Sequence, residues 1–321
     1  MSTTSSSERP VIGIGACLAG NPVRYNGQTK SANAHVRALA DHFELRPFCP
    51  EMSAGLGVPR PPIHLVGETD AIRVLDVDTH AHDYTDALRD CARRFLDANT
   101  GVCGYILVKG SPSCGFDRVK RFNAAGNLVA RDAQGMYAST LAELDPLLPL
   151  EDDERLNDPG LRESFVTRAL TYHDWQQLCA QGLNAGRLVA FYSRYKYLVM
   201  AHDVPAYRHL GQMLADAGKH DPQVLGATFI RELMQALRRR ATRRSHSNVL
   251  FHIAGYLKRR VQGEERQRLA GLIEQYRRGE VPLVVPVTML KHHFANHPDA
   301  YIDNQVFLYP YPDELGLRNS L

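Results

Sequence analysis

The sequence lacks the features that mark secreted and membrane-spanning proteins. Its longest apolar run toward the carboxyl end, residues 281–290, is too short to span a bilayer and contains two prolines. The first ten residues are mostly serine and threonine, with no apolar stretch after a basic start, which predicts a disordered tail and not a secretory signal. We therefore expect a cytoplasmic protein with no membrane partner.

Cysteine is also scarce, with six in a chain of 321 residues. So few cysteines, without a signal peptide, argue against a disulfide framework and for reduced thiols that bind a metal or pack in the core. The net charge is only +3, so neither sign of charge is in large excess overall. The charged residues are nevertheless unevenly spread along the chain. Residues 1–150 carry 15 basic and 16 acidic side chains, whereas residues 161–321 carry 22 and 14. The second half is the basic one.

The hydrophobic content of 44% is enough for two domains of ordinary size. In the first half, apolar runs at 11–16, 45–48 and 104–108 predict buried strands, and apolar residues at helical spacing in 34–43 and 84–96 predict helices between them. Strands that alternate with helices predict an α/β domain with a mainly parallel sheet covered on both faces.

The character of the chain changes around residues 142–161, where three prolines flank an acidic run at 151–154. Beyond this point helical periodicity dominates, and we expect an all-α domain. Six helices are predicted, near 161–181, 184–201, 203–217, 222–240, 246–261 and 264–278. The predicted organisation is a tail at 1–10, an α/β domain at 11–145, a linker at 146–160 and a helical domain at 161–321.

Cys17, Cys49 and Cys114 each follow a predicted strand. Ligands of open α/β sheets bind outside the carboxyl ends of strands, so these three thiols are expected to gather at one edge. Three thiolates without a histidine favour a soft centre, either an iron-sulfur cluster or zinc with an exogenous fourth ligand. The alternative is that all are core residues. The remaining cysteines are assigned to packing or to the opposite edge of the sheet: Cys91, Cys103 and Cys179.

Polar residues surround these cysteines. Glu51 lies two positions after Cys49 and is a candidate general base or acid, or else a salt-bridged loop residue. Ser111 and Ser113 precede Cys114 and either orient a substrate or cap a following helix. Lys109 adds a positive charge beside them.

At these residues the sequence resembles the thiouracil desulfurase family (TudS). The motifs that carry the resemblance are Cys17-Leu18-Ala19-Gly20, Arg24-Tyr25-Asn26-Gly27, Cys49-Pro50-Glu51, Pro59-Arg60-Pro61-Pro62 and Ser111-Pro112-Ser113-Cys114-Gly115. The resemblance implies that Cys17, Cys49 and Cys114 hold a [4Fe-4S] cluster with one open iron, and that Glu51 and Ser111 are catalytic. Val23 stands where many relatives have a further cysteine, and Asn26 replaces the usual aspartate.

The implied chemistry is the replacement of a thiocarbonyl by a carbonyl. A thiocarbonyl sulfur is soft and suits an open iron, which withdraws electron density from the carbon. Water activated by Glu51 would attack that carbon, and sulfur would leave as sulfide. Because no electrons are transferred, we expect no obligatory redox partner.

The helical half has its own signature, since residues 231–278 carry 13 basic and 4 acidic side chains. Such clusters favour nucleic-acid backbones, although a solvated helix face gives the same pattern. This half resembles the helical domain of YbgA, which is fused to desulfurases in the tRNA 2-thiouridine desulfurases (RudS). The matching runs are 193–197, 246–250, 255–258, 276–277 and 290–293.

The two resemblances together imply 2-thiouridine in tRNA as the substrate. Arg24 and Tyr25 would clamp the flipped base, with Ser113 and Lys109 as further substrate contacts, although Tyr25 also suits a packing role. Two alternatives stay open. The first is a desulfurase of free thiouracil whose helical half forms a homodimer, and the second is a nucleic-acid-binding regulator that senses oxygen or iron through its cluster.

Overall fold

A computed structural model describes residues 9–320, which divide into two compact units between Leu161 and Arg162. The predicted disordered tail lies largely outside the described residues, and Arg9 and Pro10 lead directly into the first strand. No helix within residues 9–320 is long and apolar enough to cross a membrane.

The first unit is built around a four-stranded, all-parallel sheet with the strand order β2-β1-β5-β8. Its strands are β1 (Val11–Gly15), β2 (Glu44–Phe48), β5 (Val102–Leu107) and β8 (Leu150–Asp152). The central strands are nearly continuous apolar runs because helices and loops cover both faces. Close packing requires glycine at one position in β1. A Cβ at Gly13 would lie 2.3 Å from the Tyr105 ring, so only glycine fits there.

A second sheet, with the order β4-β3-β6-β7, was not predicted. Its strands are β3 (Ile63–Val66), β4 (Arg73–Asp76), β6 (Val119–Phe122) and β7 (Leu128–Ala133). Only β3 and β6 run parallel, and both outer pairs are antiparallel. The strands β6 and β7 are short and rich in charge, so their sequence resembles a loop. A cross-strand ion pair between Arg121 and Asp132, with N···O distances of 3.0 and 2.9 Å, helps to hold them together.

The linker predicted at 146–160 is wrong, because this segment contributes β8 to the parallel sheet. Leu150, Glu151 and Asp152 are buried where β8 pairs with β5. Three residues of the acidic run, Glu151, Asp152 and Asp153, are buried and have partners inside the fold, as in the ion pair between Glu151 and Arg155 at 2.6 Å, whereas Glu154 is exposed. Buried carboxylates are tolerated where such partners exist.

Four helices complete the first unit: α1 (Ala34–Ala38), α2 (Pro50–Ser53), α3 (Thr85–Ala98) and α4 (Met136–Leu144). The predicted apolar face of α3 is buried through Leu88, Cys91, Ala92 and Phe95. The α/β class with a mainly parallel sheet is thus confirmed for the first unit.

The second unit is helical throughout its described residues, which confirms the predicted all-α class. Its helices are α5 (Pro159–Ala180), α6 (Ala185–His202), α7 (Val204–Ala215), α8 (Pro222–Leu237), α9 (Arg243–Ala254), α10 (Gly263–Arg278), α11 (Val284–Asn296) and α12 (Ala300–Asp303). The prediction missed α11 because Pro282 and Pro286 interrupt its apolar run. Pro286 lies in the first turn of α11, where a backbone N–H has no intrahelical acceptor, so the helix tolerates it.

Candidate active site

A cavity of about 260 Å³ opens where the carboxyl ends of β1, β2 and β5 meet. Every residue singled out from the sequence as a site residue lines it. These are Cys17, Arg24, Tyr25, Cys49, Glu51, Lys109, Ser111, Ser113 and Cys114. Because parallel strands end at the same edge, residues far apart in the chain converge there.

The three cysteines reach the cavity from three different strands. Cys17 lies two residues beyond β1, Cys49 directly follows β2, and Cys114 lies on the loop after β5. Burial raises the pKa of all three thiols, to about 12 for Cys114. The neighbouring Cys49 charge raises the pKa of Cys17 further, which places these two sulfurs in one electrostatic environment. A bound cation would favour the thiolate form.

Three thiolates without a histidine are a donor set that suits a soft centre. Within residues 9–320, no three side chains of His, Cys, Asp or Glu are already gathered around the position of a single metal ion. A polynuclear iron-sulfur cluster bonds each thiolate to a different iron, so its ligands lie farther apart around a common cavity. The residues present fit the cluster.

The Ser111 hydroxyl shapes the turn that carries Cys114. Its Oγ accepts hydrogen bonds from the backbone N–H of Ser113 at 3.3 Å and of Cys114 at 3.2 Å. It also lies 3.5 Å from the Cys114 Sγ. No helix follows this turn before α4, so the predicted helix-capping alternative for Ser113 is wrong. The turn rests on Gly135, where a Cβ would lie 2.5 Å from the Ser113 carbonyl oxygen.

The Glu51 carboxylate is held from two sides. Glu51 lies in α2, which starts at Pro50 immediately after Cys49, so the carboxylate and the thiol enter the cavity together. The Ser113 hydroxyl donates to Glu51 Oε1 at 2.5 Å, and Arg60 Nε donates to Oε2 at 2.8 Å. Glu51 is therefore both a cavity residue and a member of an ion pair.

Arg60 also lines the cavity, and the sequence analysis noted its motif but assigned no role to it. Its side chain is 3% exposed, and its Nη2 lies 2.6 Å from Glu51 Oε2. The remaining donors reach the carbonyl oxygens of Gly57 at 2.7 Å and of Val23 at 2.9 Å. A buried arginine requires hydrogen-bond partners of this kind. The pattern in the sequence that could have indicated a role for Arg60 is an arginine between two prolines, downstream of the Cys-Pro-Glu motif.

The rim of the cavity carries the predicted substrate-binding residues. Tyr25 is 46% exposed and its ring is not part of the core, which disfavours the packing role. Arg24 is half-buried beside it. Lys109 pairs with Glu154 at 2.5 Å, and this ion pair raises the pKa of Lys109. Its charge is thus already balanced within the fold.

The other cysteines lie away from the cavity. Cys91 is buried and donates to the Pro50 carbonyl at 3.5 Å, and Cys103 is buried at the amino end of β5 and donates to the Val11 carbonyl at 3.2 Å. Cys179 is exposed, so its predicted packing role is wrong.

The helical unit presents basic and aromatic side chains on its surface. The exposed basic residues of the 238–260 region are Arg238, Arg239, Arg240, Arg243, Arg244, Lys258, Arg259 and Arg260. Tyr256, which is exposed, stacks on Tyr301 with ring centroids 5.8 Å apart, and the Lys196 ammonium lies 4.7 Å from the Tyr301 ring. Most other tyrosines of this unit, such as Tyr195 and Tyr276, are buried packing residues.

Comparisons with known proteins place both parts of the chain. One family model, described as 2-thiouracil desulfurase, matches residues 12–153, and another, described as a protein of unknown function (DUF1722), matches residues 196–312. The uncharacterized protein YbgA of Escherichia coli (strain K12) is 37% identical over 161 residues, which cover 49% of this chain and 94% of YbgA. The uncharacterized protein YbbK of Bacillus subtilis (strain 168) is 31% identical over 112 residues, which cover 33% of this chain and 73% of YbbK.

Among solved structures, a [4Fe-4S]-dependent thiouracil desulfidase, TudS, is 28% identical with a TM-score of 0.38, and the match covers 47% of this chain and 94% of that one. The family models and the two bacterial relatives confirm both resemblances drawn from the motifs. The narrower grouping with tRNA desulfurases stays a prediction. The chain belongs to the 2-thiouracil desulfurase family in residues 12–153, joined to a YbgA-type helical region.

Proposed function

We propose that this protein is an iron-sulfur-dependent desulfurase that converts 2-thiouridine in tRNA to uridine. One observation carries the proposal. Three cysteines without a histidine share a single cavity with a fixed carboxylate, Glu51. Soft ligands and a base side by side are the two elements that hydrolysis of a thiocarbonyl needs.

The cofactor we propose is a [4Fe-4S] cluster held by Cys17, Cys49 and Cys114, which when bound supplies an iron with an open position as a Lewis acid for thiocarbonyl sulfur. The surrounding protein fixes the groups that move protons. Burial raises the pKa of the three thiols, so forming their thiolates costs free energy. Metal binding offsets this cost.

Glu51 acts as the general base. Its carboxylate takes one proton from water, and the water oxygen bonds to the thiocarbonyl carbon as a hydroxyl. When the carbon–sulfur bond then breaks, the hydroxyl proton and the proton held by Glu51 both pass to sulfur, and the products are the carbonyl base and hydrogen sulfide. Water is the only co-reactant and the carbon keeps its oxidation state, so no electron carrier takes part.

Ser111 and Ser113 provide a route for the proton held by Glu51. The Ser113 hydroxyl bridges Glu51 Oε1 at 2.5 Å and Ser111 Oγ at 2.9 Å. Ser111 lies in turn beside the Cys114 sulfur. This chain of hydroxyls leads from the base toward the place where sulfur departs, which is the catalytic role we assign to Ser111.

The cavity, of about 260 Å³, has to hold the base beside the cluster and has no room for a folded RNA. A thiolated base must therefore leave its stack and enter alone, which is least costly in a loop. Arg24 and the exposed Tyr25 stand at the entrance, where they contact the flipped base. The basic surface of the helical unit neutralises the phosphates of the same RNA.

The test uses the full chain, loaded anaerobically with iron and sulfide until it absorbs at about 400 nm. The loaded protein is incubated without reductant in ¹⁸O-labelled water with tRNA that carries 2-thiouridine, and nucleosides are identified by mass spectrometry. We expect uridine with one ¹⁸O atom and one sulfide per turnover. A loaded protein that leaves both thiolated tRNA and free 2-thiouracil unchanged contradicts the proposal.

Two parallel substrates separate the alternatives. Free 2-thiouracil distinguishes a base-specific enzyme, whose activity is indifferent to salt, from an RNA enzyme, whose activity falls as salt rises. A tRNA thiolated at C4 of uridine in place of C2 tests the ring position, since an open iron recognises sulfur at either carbon. Turnover of the C4 isomer alone would mean that the proposed reaction is right and that its substrate is thiolated at C4 and not at C2.

A further inference from the structure

A second cavity, of about 540 Å³, adjoins the active-site cavity. The two share the wall formed by Ile63, Gly110 and Pro112. On its far side, the second cavity is bounded by the loop 77–80 and the turn 124–126 of the second sheet. Nothing in the reaction proposed above uses this space.

Rings line the inner surface of the second cavity. The buried His64 lies between His80 and Phe122, with ring centroids 4.8 and 5.1 Å away. His64 Nε2 and His80 Nε2 are 2.9 Å apart, within hydrogen-bond distance. Burial, and next the facing His80, lower the pKa of His64, so this ring is uncharged near pH 7. Imidazole and phenyl rings are stacking surfaces for nucleobases.

The loop that carries His80 is fixed before any ligand binds. Asp76 accepts hydrogen bonds from the Thr79 N–H and hydroxyl, both at 2.7 Å, and from the His82 N–H at 2.9 Å. These bonds hold the pKa of Asp76 far below its usual value, so the loop keeps its anchor throughout the physiological range. His80 itself has a φ of +53°, a left-handed conformation that costs energy in a non-glycine residue. The loop thus presents an imidazole at a position where glycine would be less strained.

The charges at the mouth of this cavity are mixed. Lys120 and Asp78 are both exposed lining residues. A lysine ammonium suits a phosphate, and a carboxylate suits a ribose hydroxyl or a base N–H. A metal ion is disfavoured, since within residues 9–320 no third histidine, cysteine or carboxylate joins the His64–His80 pair as a ligand. Rings inside and one charge of each sign outside match a nucleotide.

We propose that the second cavity binds the nucleotide next to the thiolated one, so that the first unit itself recognises a polynucleotide. This inference rests on the proposed function. The neighbouring base stacks on His80 and Phe122, its phosphate faces Lys120, and the shared wall of Gly110 and Pro112 passes between the two bases. A free base fills only the first cavity and makes none of these contacts.

The test compares free 2-thiouracil with an RNA pentamer that carries 2-thiouridine at its centre. The variants are His80→Gly, which suits the left-handed backbone and so preserves the loop, and Lys120→Ala at an exposed position. Arg118→Gly is the matched control: Arg118 also has a positive φ, of +54°, and is exposed, but lines neither cavity. We expect each variant to lower kcat/KM for the pentamer about tenfold and to leave 2-thiouracil within twofold.

Equal losses on both substrates, or no loss on the pentamer, overturn the inference. Binding of an unthiolated, fluorescently labelled pentamer, measured by anisotropy, provides a readout that needs no turnover. His80→Gly and Lys120→Ala should each weaken this binding several-fold, and Arg118→Gly should not. If wild-type protein desulfurises nothing but the anisotropy result holds, the proposed function fails and the binding site stands. If turnover is seen and the variants leave the anisotropy unchanged, the proposed function stands and the second binding site is contradicted.

Discussion

Arg60 and Glu51 form a buried ion pair at the wall of the cysteine-lined cavity. Two nitrogens of Arg60, Nε and Nη2, lie 2.8 and 2.6 Å from one oxygen of Glu51, Oε2. The other oxygen, Oε1, accepts from Ser113. Both oxygens are therefore held, and the carboxylate has one orientation relative to Cys49, two residues before it. A base fixed in this way does not have to reorganise during the reaction.

Glu51→Gln should abolish turnover while the cluster remains. Glutamine keeps the shape but cannot accept the proton from water, and loss of a general base costs about 10²- to 10⁴-fold in kcat. The measurement is kcat together with iron content and the absorption spectrum. Glu143→Gln, at an exposed position of α4, is the control and should be fully active. Full turnover by Glu51→Gln would remove Glu51 from the mechanism as the base.

Arg60→Lys should lower both activity and stability. Lysine is a point charge and cannot reach Glu51, Gly57 and Val23 together, so the carboxylate loses its fixed orientation. We expect kcat to fall at least about tenfold with iron retained. Because lysine leaves carbonyl oxygens of Gly57 and Val23 without their donors, the free energy of unfolding should fall by about 1–3 kcal/mol, measured by urea denaturation.

The control for that change is Arg46→Lys. Arg46 pairs with Glu44 on the surface, where both side chains are nearly half exposed. An exposed pair contributes about 0–1 kcal/mol, so this variant should match wild type in kcat and in the urea midpoint. Similar losses in both variants would mean that the Arg60 effect is a general consequence of replacing arginine by lysine.

Each of Cys17→Ser, Cys49→Ser and Cys114→Ser should reduce iron bound after anaerobic reconstitution to a small fraction of wild type. Serine lacks the soft thiolate, and two remaining ligands do not hold the cluster. Cys179→Ser removes an exposed thiol outside the cavity and should retain all of the iron. Iron and sulfide are measured per chain. Full iron loading of Cys114→Ser would contradict the three-cysteine site.

Arg244→Ala and Arg259→Ala should weaken tRNA binding and reduce its salt dependence. Both residues are exposed in the basic region of the helical unit. Removing one arginine that neutralises a phosphate should lower the slope of log K against log salt by about 1. Binding is followed by anisotropy across a salt titration. Arg89→Ala and Arg93→Ala on the exposed face of α3 are the controls, and they should leave the slope unchanged.

The helical unit should lose stability below neutral pH because of one buried histidine. Burial, and then the Arg318 charge, lower the pKa of His246 to about 3, and its Nδ1 lies 2.7 Å from the Tyr276 hydroxyl. An unfolded histidine takes up a proton near pH 6.5, so stability is complete above that pH and decreases as pH falls toward 3. The loss is about 2 kcal/mol between pH 6.5 and 5.

Trp175 makes this measurement specific, since it is the only tryptophan of the chain and is buried in the helical unit. Urea midpoints read from its fluorescence should fall between pH 7 and pH 5 in wild type. His246→Asn should flatten this dependence, whereas His292→Asn, at an exposed site, should not. An unchanged slope in His246→Asn would assign the acid sensitivity to other groups.

Much of the fold class and the members of the active site could be predicted from the sequence. The strands before Cys17 and Cys114 are nearly continuous apolar runs, whereas β2, before Cys49, is a largely exposed edge strand with only a short apolar signal. Parallel strands end at one edge of the sheet, which brings the three cysteines together. The second sheet could not be predicted, because β6 and β7 contain charged residues, β7 is largely exposed, and the two strands are paired with each other only in the fold. The strand β8 was hidden for a related reason: its acidic residues suggested solvent until the structure supplied their partners.

The sequence by itself determined the chemistry available to this protein: which thiols and which carboxylate follow the strands, and which half is basic. Only the tertiary structure decided how these groups act on one another. Ser113 and Glu51 are 62 residues apart, and the second cavity lies between segments of β3, β6 and the 77–80 loop. Local patterns report the secondary structure of a segment, whereas hydrogen-bond partners and cavities depend on packing between segments that no local pattern records.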